Sequence, residues 1–456
     1  MKPKTCLSMA ICLACTVAAH PSPDGDSAAV ATERWSLQRC LDYASERNLN
    51  IKISEINAES SDIDVRTAKS AFLPSLSANV SQRIVNNPRS ENNTIIDGDR
   101  ISSSQSKTSY NGSYGIDLQW TLYEGNRRLN DYKQQKVASQ IARLNVDESI
   151  NNIQESIMQA YIQILYAAEA VEINRATLAS SRAERLRGEE LLAAGTLSKA
   201  DYAQLAADES NDQYALVSAE ATLDDYKLQL KQLLELDGTH DIEIEAPDIS
   251  DAEVYAILPD KEEVYRAALN SRPEIKAGQL TVEQSELSTA AAKSDYMPTL
   301  SLSAGIGTNH TNGNDYTFSE QVKTNWNNSI GLTLSIPIFD RRQTKSNVQK
   351  AKLQTNINKL QLMDAQKTLY RSIENFWLNA RSAQKQFAAA SEKVKSCETS
   401  YTLVSEQFHL GMKNTVELLQ EKNNLLAARH EMLQAKYTSL LNTTLLDFYC
   451  YGVINL

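Results

Sequence analysis

Apolar and polar residues change their spacing along this chain, and each change marks an element. In YNGSYGIDLQWTLY, Tyr110, Tyr114, Ile116, Leu118, Trp120 and Leu122 alternate with Asn111, Ser113, Asp117, Gln119 and Thr121. That period of two is what a strand with one buried face requires. NSIGLTLSIPIF repeats it with Ile330, Leu332, Leu334, Ile336 and Ile338. FLPSLSANVSQ supplies Leu76, Ala78 and Val80, and YMPTLSLSAGI supplies Leu300, Leu302, Ala304 and Ile306. These segments predict four strands of roughly ten residues, a length that crosses a bilayer when tilted. Beyond each pair the spacing lengthens to seven. Ile150, Ile157, Ile164, Val171 and Leu178 form one series, and Leu362, Leu369 and Phe376 another, as in supercoiled helices. Leu216, Leu223 and Leu230, then Leu419, Leu426, Leu433 and Leu440, predict helices that return along them.

Proline and glycine place the boundaries. No proline falls between Pro88 and Pro247 or after Pro337, which leaves two tracts free of the strongest helix breaker. Gly188 is the only glycine from Asn126 to Leu192, and none occurs from Phe339 to Leu410. Each tract therefore predicts one helix on the order of 100 Å long at about 1.5 Å per residue. The segments joining the strands, NNPRSENNTIIDGDRISSSQSKTS and TNHTNGNDYTFSEQVKTN, are long and polar, whereas the other strand ends run straight into helices. This asymmetry suits membrane hairpins with long external loops.

The two halves are copies. Pro74 and Pro298 are offset by 224, while Gly115 and Gly331, like Gly195 and Gly411, are offset by 216, so the first half has the longer hairpin loop. The expected organisation is a signal peptide at 1–19, a first repeat at 35–236, a linker at 237–260 and a second repeat at 261–449. Within the repeats, β-hairpins are expected at about 75–123 and 299–338, and long helical hairpins at about 126–236 and 340–449.

Composition narrows the address. Lys2 and Lys4, an apolar run from Cys6 to Ala19 and then HPSPDGDS have the order of a secretory signal. Cleavage after Ala19 and lipidation at Cys15 are the two readings of it. No later run of 18 apolar residues exists, so a spanning helix is not expected; short alternating barrel strands would leave the mean hydropathy negative, as it is. A net charge of −11 without a basic cluster argues against nucleic acid. Cys40, Cys397 and Cys450 remain after the signal; a Cys40–Cys450 bridge and ordinary buried thiols both fit them. His240, His310, His409 and His430 are scattered, and HExxH, paired cysteines and a phosphate loop are missing, so no enzyme, cofactor or metal site is expected. DGDR and NGND lack the remaining ligands of a calcium loop.

Four strands cannot close a barrel, and open edges would leave unpaired N–H and C=O groups in hydrocarbon at several kcal/mol each. Membrane strands here therefore require several copies: two give eight strands and a filled lumen, three give twelve and a water-filled pore. The alternative is a secreted periplasmic coiled-coil scaffold without a pore, which has no use for four alternating strands.

WSLQRCLDYASERNLNIKISEINAESSDIDVRTAKSAFLPSLSANVSQ and LTLSIPIFDRRQTKSNVQKAKLQ resemble the TolC family of outer-membrane efflux channels, over about Trp35 to Asp447. The resemblance implies an α+β membrane protein with long antiparallel coiled-coil hairpins and four membrane strands per subunit, joined as a homotrimeric α/β-barrel. It implies an outer-membrane address with a long periplasmic helical portion. It also implies the role of exit duct in a tripartite efflux or type I secretion system, with a periplasmic adaptor and an inner-membrane pump as partners. By the same resemblance, AAGTLSKADYAQ and HLGMKNTVELLQ match the periplasmic mouth. Asp201 and Glu417 take the first acidic position of its gate, with Gln204 and Gln420 where relatives can carry a second acid. The tips Gly195, Thr196, Leu197 and Ser198, with Gly411, Met412, Lys413 and Asn414, would contact the adaptor, and Leu118, Trp120, Leu332 and Leu334 would face lipid. A plainer reading stands beside this one: αα-hairpin turns at Gly195 and Gly411, and first-turn charges after Thr196/Ser198 and Asn414/Thr415 caps.

Overall fold

The structure is a computed structural model that describes residues 33–88, 94–97, 100–103, 107–237, 242–247, 249–312 and 316–454. The signal segment 1–19, with its Cys15 alternative, and His240 lie outside the described residues, as do parts of the DGDR and NGND loops. In chain order the first half runs β1 (Glu33–Trp35), α1 (Leu37–Arg47), α2 (Leu49–Ser70), β2 (Ser75–Asn86), β3 (Thr94–Asp97), β4 (Arg100–Ser103), β5 (Thr108–Glu124), α3 (Arg127–Ala193) and α4 (Lys199–Leu233). The linker holds β6 (Ile242–Ile244) and α5 (Asp251–Val254). The second half runs α6 (Lys261–Ser271), α7 (Pro273–Ser294), β7 (Thr299–Thr311), α8 (Phe318–Thr324), β8 (Asn327–Ser335), α9 (Gln343–His409) and α10 (Thr415–Tyr451).

The duplication recurs helix by helix. α1 and α2 repeat as α6 and α7 at the offset of 224, and α3, of 67 residues, repeats as α9, also of 67, at 216. Even the strained entries repeat: Gly125 and Asn126 have φ of 55° and 68°, and Arg341 and Arg342 have 54° and 72°. Two successive left-handed residues turn the chain from each strand into each long helix, a backbone that only glycine adopts without cost.

β2, β5, β7 and β8 form one antiparallel sheet in that order, so its edges are β2 and β8. Beneath it α2, α3, α7 and α9 pack side by side in the same order, with α2 and α9 at the edges. Further along, α4 returns on α3 and α10 on α9. The largest core lies where these layers change over: Trp35, Ile51, Ile157, Met158, Tyr161, Leu230 and Leu445 are buried together there. Three features depart from expectation. The first hairpin loop contains the β3–β4 pair, the second contains α8, and a short parallel sheet joins β1 to β6. Cys40 and Cys450 are free thiols in different clusters, Cys40 buried and Cys450 half-buried, so the bridge reading is set aside. Burial pushes the Cys40 thiol up to about 12, which keeps it protonated and inert. Among the described residues no helix is long and apolar enough to cross a membrane.

Candidate functional site

Strand register sorts the sheet into two faces. Leu76, Leu118, Ala304 and Ile330 stand level across the four strands, as do Ala78, Ile116 and Ile306, and Trp120, Leu302 and Leu332. The opposite face carries Ser75, Gln119, Ser303 and Gly331, then Ser77, Asp117, Gly305 and Ser329, then Asn79, Gly115, Gly307 and Asn327. Because the side-chain period is two, the faces stay separate over these layers, apart from Asn328, which stands level with Ile306 on the apolar face. Leu76, Val80 and Ile330 are 71, 74 and 80% exposed, so the apolar face lies bare. An apolar surface of that extent needs a hydrocarbon or protein cover.

Aromatic residues bound the bare band at both ends. Toward the helices, Trp120 donates its indole N–H to the Phe72 carbonyl at 3.0 Å, Phe72 meets Tyr132 edge to face, and Tyr123 and Phe339 are exposed. Toward the loops, Tyr114 stacks on His310, and Phe318 of α8 packs edge-on against both rings. Tyr110, Tyr316 and Trp326 are exposed near them. From Tyr110 to Trp120 is ten steps of β5, roughly 33 Å along the strand. At a tilt of about 40° that spans about 25 Å, the height of an outer-membrane apolar band with its aromatic girdles. Leu118, Trp120, Leu332 and Leu334 all lie on the apolar face, but at different depths: Leu300 pairs with both Leu334 and Tyr123, which puts Leu334 at the girdle.

The other end of the molecule is built from the two hairpin turns. Gly195 and Gly411 have φ of 76° and 73° with open space where a Cβ would stand. The Thr196 N–H closes on the Leu191 carbonyl at 2.9 Å and the Met412 N–H on Gln407 at 2.8 Å, which ends each long helix in a left-handed cap. Leu197 leaves the first turn and packs with Leu205 against Phe408 and Leu418 of the second hairpin, so the tips share a small core. Gly188 admits this approach: a Cβ there would meet Leu205 Cδ1 at 2.5 Å. Met412 stays 71% exposed.

The gate candidates lie one turn beyond. Ser198 caps α4: its hydroxyl accepts from the Asp201 N–H at 3.1 Å and donates to the Asp201 carboxylate at 2.7 Å. Asn414 caps α10 in a capping box, with Glu417 N–H donating to Asn414 Oδ1 at 2.9 Å and Asn414 N–H to Glu417 at 3.2 Å. Lys413 Nζ lies 2.5 Å from Glu417, and that ammonium, then the Asn414 N–H, holds the carboxyl below the usual glutamate range. Thr196 and Thr415 do not cap; the Thr196 hydroxyl bonds the Leu191 carbonyl instead. Gln204 is exposed, and Gln420, also exposed, donates to Asn424 at 3.3 Å.

Sequence reasoning missed what ties the hairpins together behind the tips. Lys422 of α10 is buried and donates to Asp208, to Asp212 at 2.6 Å and to Ser181 at 2.8 Å, while the Ser181 hydroxyl donates to Asp212. One ammonium thus joins α10 to both helices of the first hairpin. Beside this cluster Ser180 meets Tyr401 at 2.9 Å, and nearer the tips Ser405 donates to Glu184 at 3.2 Å and lies 3.3 Å from His409. The available signal was the seam itself: near the tip α10 buries Thr415, Leu418, Lys422 and Leu425, one residue out of phase with Leu419 and Leu426, whereas further along it buries Leu433 and Leu440 of the expected series.

These features recur in known proteins. The profile of the outer membrane efflux protein family matches residues 40–235 and 264–447. Outer membrane efflux protein BepC of Brucella suis is 22% identical over 425 residues, 90% of this chain and 85% of that protein. Alkaline protease secretion protein AprF of Pseudomonas aeruginosa is 23% identical over 66% of this chain and 61% of its own length. Among solved structures, the Campylobacter jejuni CmeC outer membrane channel superposes with a TM-score of 0.75 at 17% identity, covering 92% of this chain and 86% of that one. With one matched segment in each repeat, the two-faced sheet and the paired helical hairpins, this chain belongs to the outer membrane efflux protein family.

Proposed function

We propose that this chain is one third of a homotrimeric outer-membrane exit duct, receiving substrate from an inner-membrane pump and a periplasmic adaptor and releasing it outside. The observation that carries the reading is the coincidence of edges. β2 and β8 leave unpaired strand edges directly above α2 and α9, the edge helices of the layer below. Such a sector is completed only by copies of itself joined edge to edge, with the apolar face toward lipid and the polar face around water. Three copies give twelve strands, enough for an aqueous lumen, and continue it as a ring of helices. AprF is named for protease secretion and BepC for efflux, which supports a duct in both kinds of system.

At the far end, the turns at Gly195 and Gly411 offer the adaptor a surface of Thr196, Leu197, Ser198, Met412, Lys413 and Asn414. Behind it Asp201 and Glu417 narrow and charge the mouth. Lys413 modifies this gate, because each Glu417 that it neutralises no longer draws cations. Reversal potentials in planar bilayers under a potassium chloride gradient test the assignment. Asp201→Ala with Glu417→Ala should lower cation selectivity, and Lys413→Ala should raise it. Identical potentials for all three proteins would refute the gate.

A further inference from the structure

The polar face of the sheet is nearly free of charge. Between its ends its described strands carry Ser, Thr, Asn, Gln and Gly with only two ionisable side chains, Arg83 and Asp117. Glu124, at the helix end, has Arg128 at 4.0 Å. Asp117 is different: among the described residues its hydrogen-bond partner is the Asn79 amide at 2.9 Å, and no cation stands within ion-pair distance. Glycines leave room for its carboxylate. It pairs across the strands with Gly305, where a Cβ would meet Asp117 Oδ1 at 3.0 Å, and Gly115 faces Gly307 in the next layer. Ser77 is level with Asp117, and Arg83 is six residues further along β2, roughly 20 Å away at 3.3 Å per residue. That exceeds the Debye length of about 8 Å at physiological salt, so Arg83 does not cancel the carboxylate locally.

We propose that Asp117 is a charge-selectivity determinant inside the β-barrel, independent of the helical tips. The inference rests on the trimeric closure proposed above, which turns one Asp117 per chain into a ring of three at a single height. Uncompensated carboxylates around a water-filled lumen raise local cation concentration and lower that of anions, and the barrel wall strengthens the effect by excluding solvent on one side. The surrounding hydroxyl, amide and glycine groups add no opposing charge, so neutral solutes meet no barrier there. Asn79 positions the carboxylate and is not itself the charge.

Full-length protein in planar bilayers tests this with reversal potentials under a tenfold potassium chloride gradient. Asp117→Asn keeps an acceptor for Asn79, so the channel should form with wild-type conductance steps while the potassium-to-chloride permeability ratio falls about two- to threefold. Asp117→Glu should restore the ratio, and Arg83→Gln should raise it. Wild-type selectivity in Asp117→Asn channels would overturn the inference and leave the duct standing. Absence of any conductance steps from the wild-type trimer would overturn the duct, and this inference with it.

Discussion

Lys422 shows how much one side chain can decide. Its ammonium is surrounded by Asp208, Asp212 and Ser181, all drawn from the other hairpin, with the side chain 6% exposed. A buried charge is tolerated only while its partners are present, and removing one partner leaves the rest uncompensated. Lys422→Met should therefore cost about 3 to 5 kcal/mol, seen as a lower thermal midpoint and faster proteolysis near the tips. Adding Asp208→Asn and Asp212→Asn should recover most of the loss, since no charge is then stranded; a lone Lys422→Met protein as stable as wild type would mean the cluster is solvated. Glu417 is the exposed counterpart. Its carboxyl is held low in the folded chain, so its contribution to the start of α10 is present above the ordinary glutamate range and is lost as pH falls through the depressed value. Acid should thus fray the second tip, where Lys413 and Asn414 hold that carboxylate.

At the scale of elements, register converts an alternating sequence into depth. Ile116 and Ile306 are level midway between Tyr110 and Trp120 in the apolar band, whereas Leu334 is level with Tyr123 at its margin. Arginine at Ile116 or Ile306 should therefore impair assembly by about 2 to 4 kcal/mol, and at Leu334 by about 0 to 1. Arginine at Thr333, on the polar face, should be tolerated; equal yields of heat-stable oligomer from all four variants would argue against a lipid-facing band. The strands, the long helices and both tip turns were legible in the sequence because alternation, proline-free tracts and glycine each have a local physical cause. The depth of Leu334 was not, since pairing partners lie far apart in the chain and a bulge at Thr121/Tyr123 shifts them. β1 and β6, of three residues each, carry no period to detect, and their pairing joins residues about two hundred positions apart. α8 did carry a signal, the Thr317–Glu320 capping box, inside a loop read as polar. Of the proposed gate, the acids after each glycine could be read directly and the Lys413–Glu417 pair, four residues apart, is equally local, whereas the Lys422 cluster depends on which helix faces come together.

The whole molecule is a tile whose flanks are unfinished in the same two places. α2 exposes Leu49, Ile53, Ile56 and Ile63, spaced by four, three and seven along one face, and α9 exposes Leu353, Ile357 and Leu360. Both are edge helices of their layer, and the remaining edges are the strands β2 and β8 that leave them. A helix packed on one side only should present polar residues to water on the other, so an apolar stripe on each flank needs a neighbour. Joining α9 of one copy to α2 of the next covers both stripes at once and lets β8 pair with the next β2, a head-to-tail contact that closes as a ring. Each Ile or Leu so covered contributes about 1.5 to 3 kcal/mol, so the stripes are an energetic part of assembly rather than an accessory to strand pairing. Glutamate at Ile56 and Leu360 together should abolish the proposed trimer in native mass measurements of detergent-solubilised protein. Glutamate at Ile257, 97% exposed on the linker where it crosses α9 at Gln384, 24 residues along that helix from Leu360, should leave it intact. A trimer that survives the flank substitutions would show that the strands alone hold the ring, and one lost through Ile257 would move the interface to the linker.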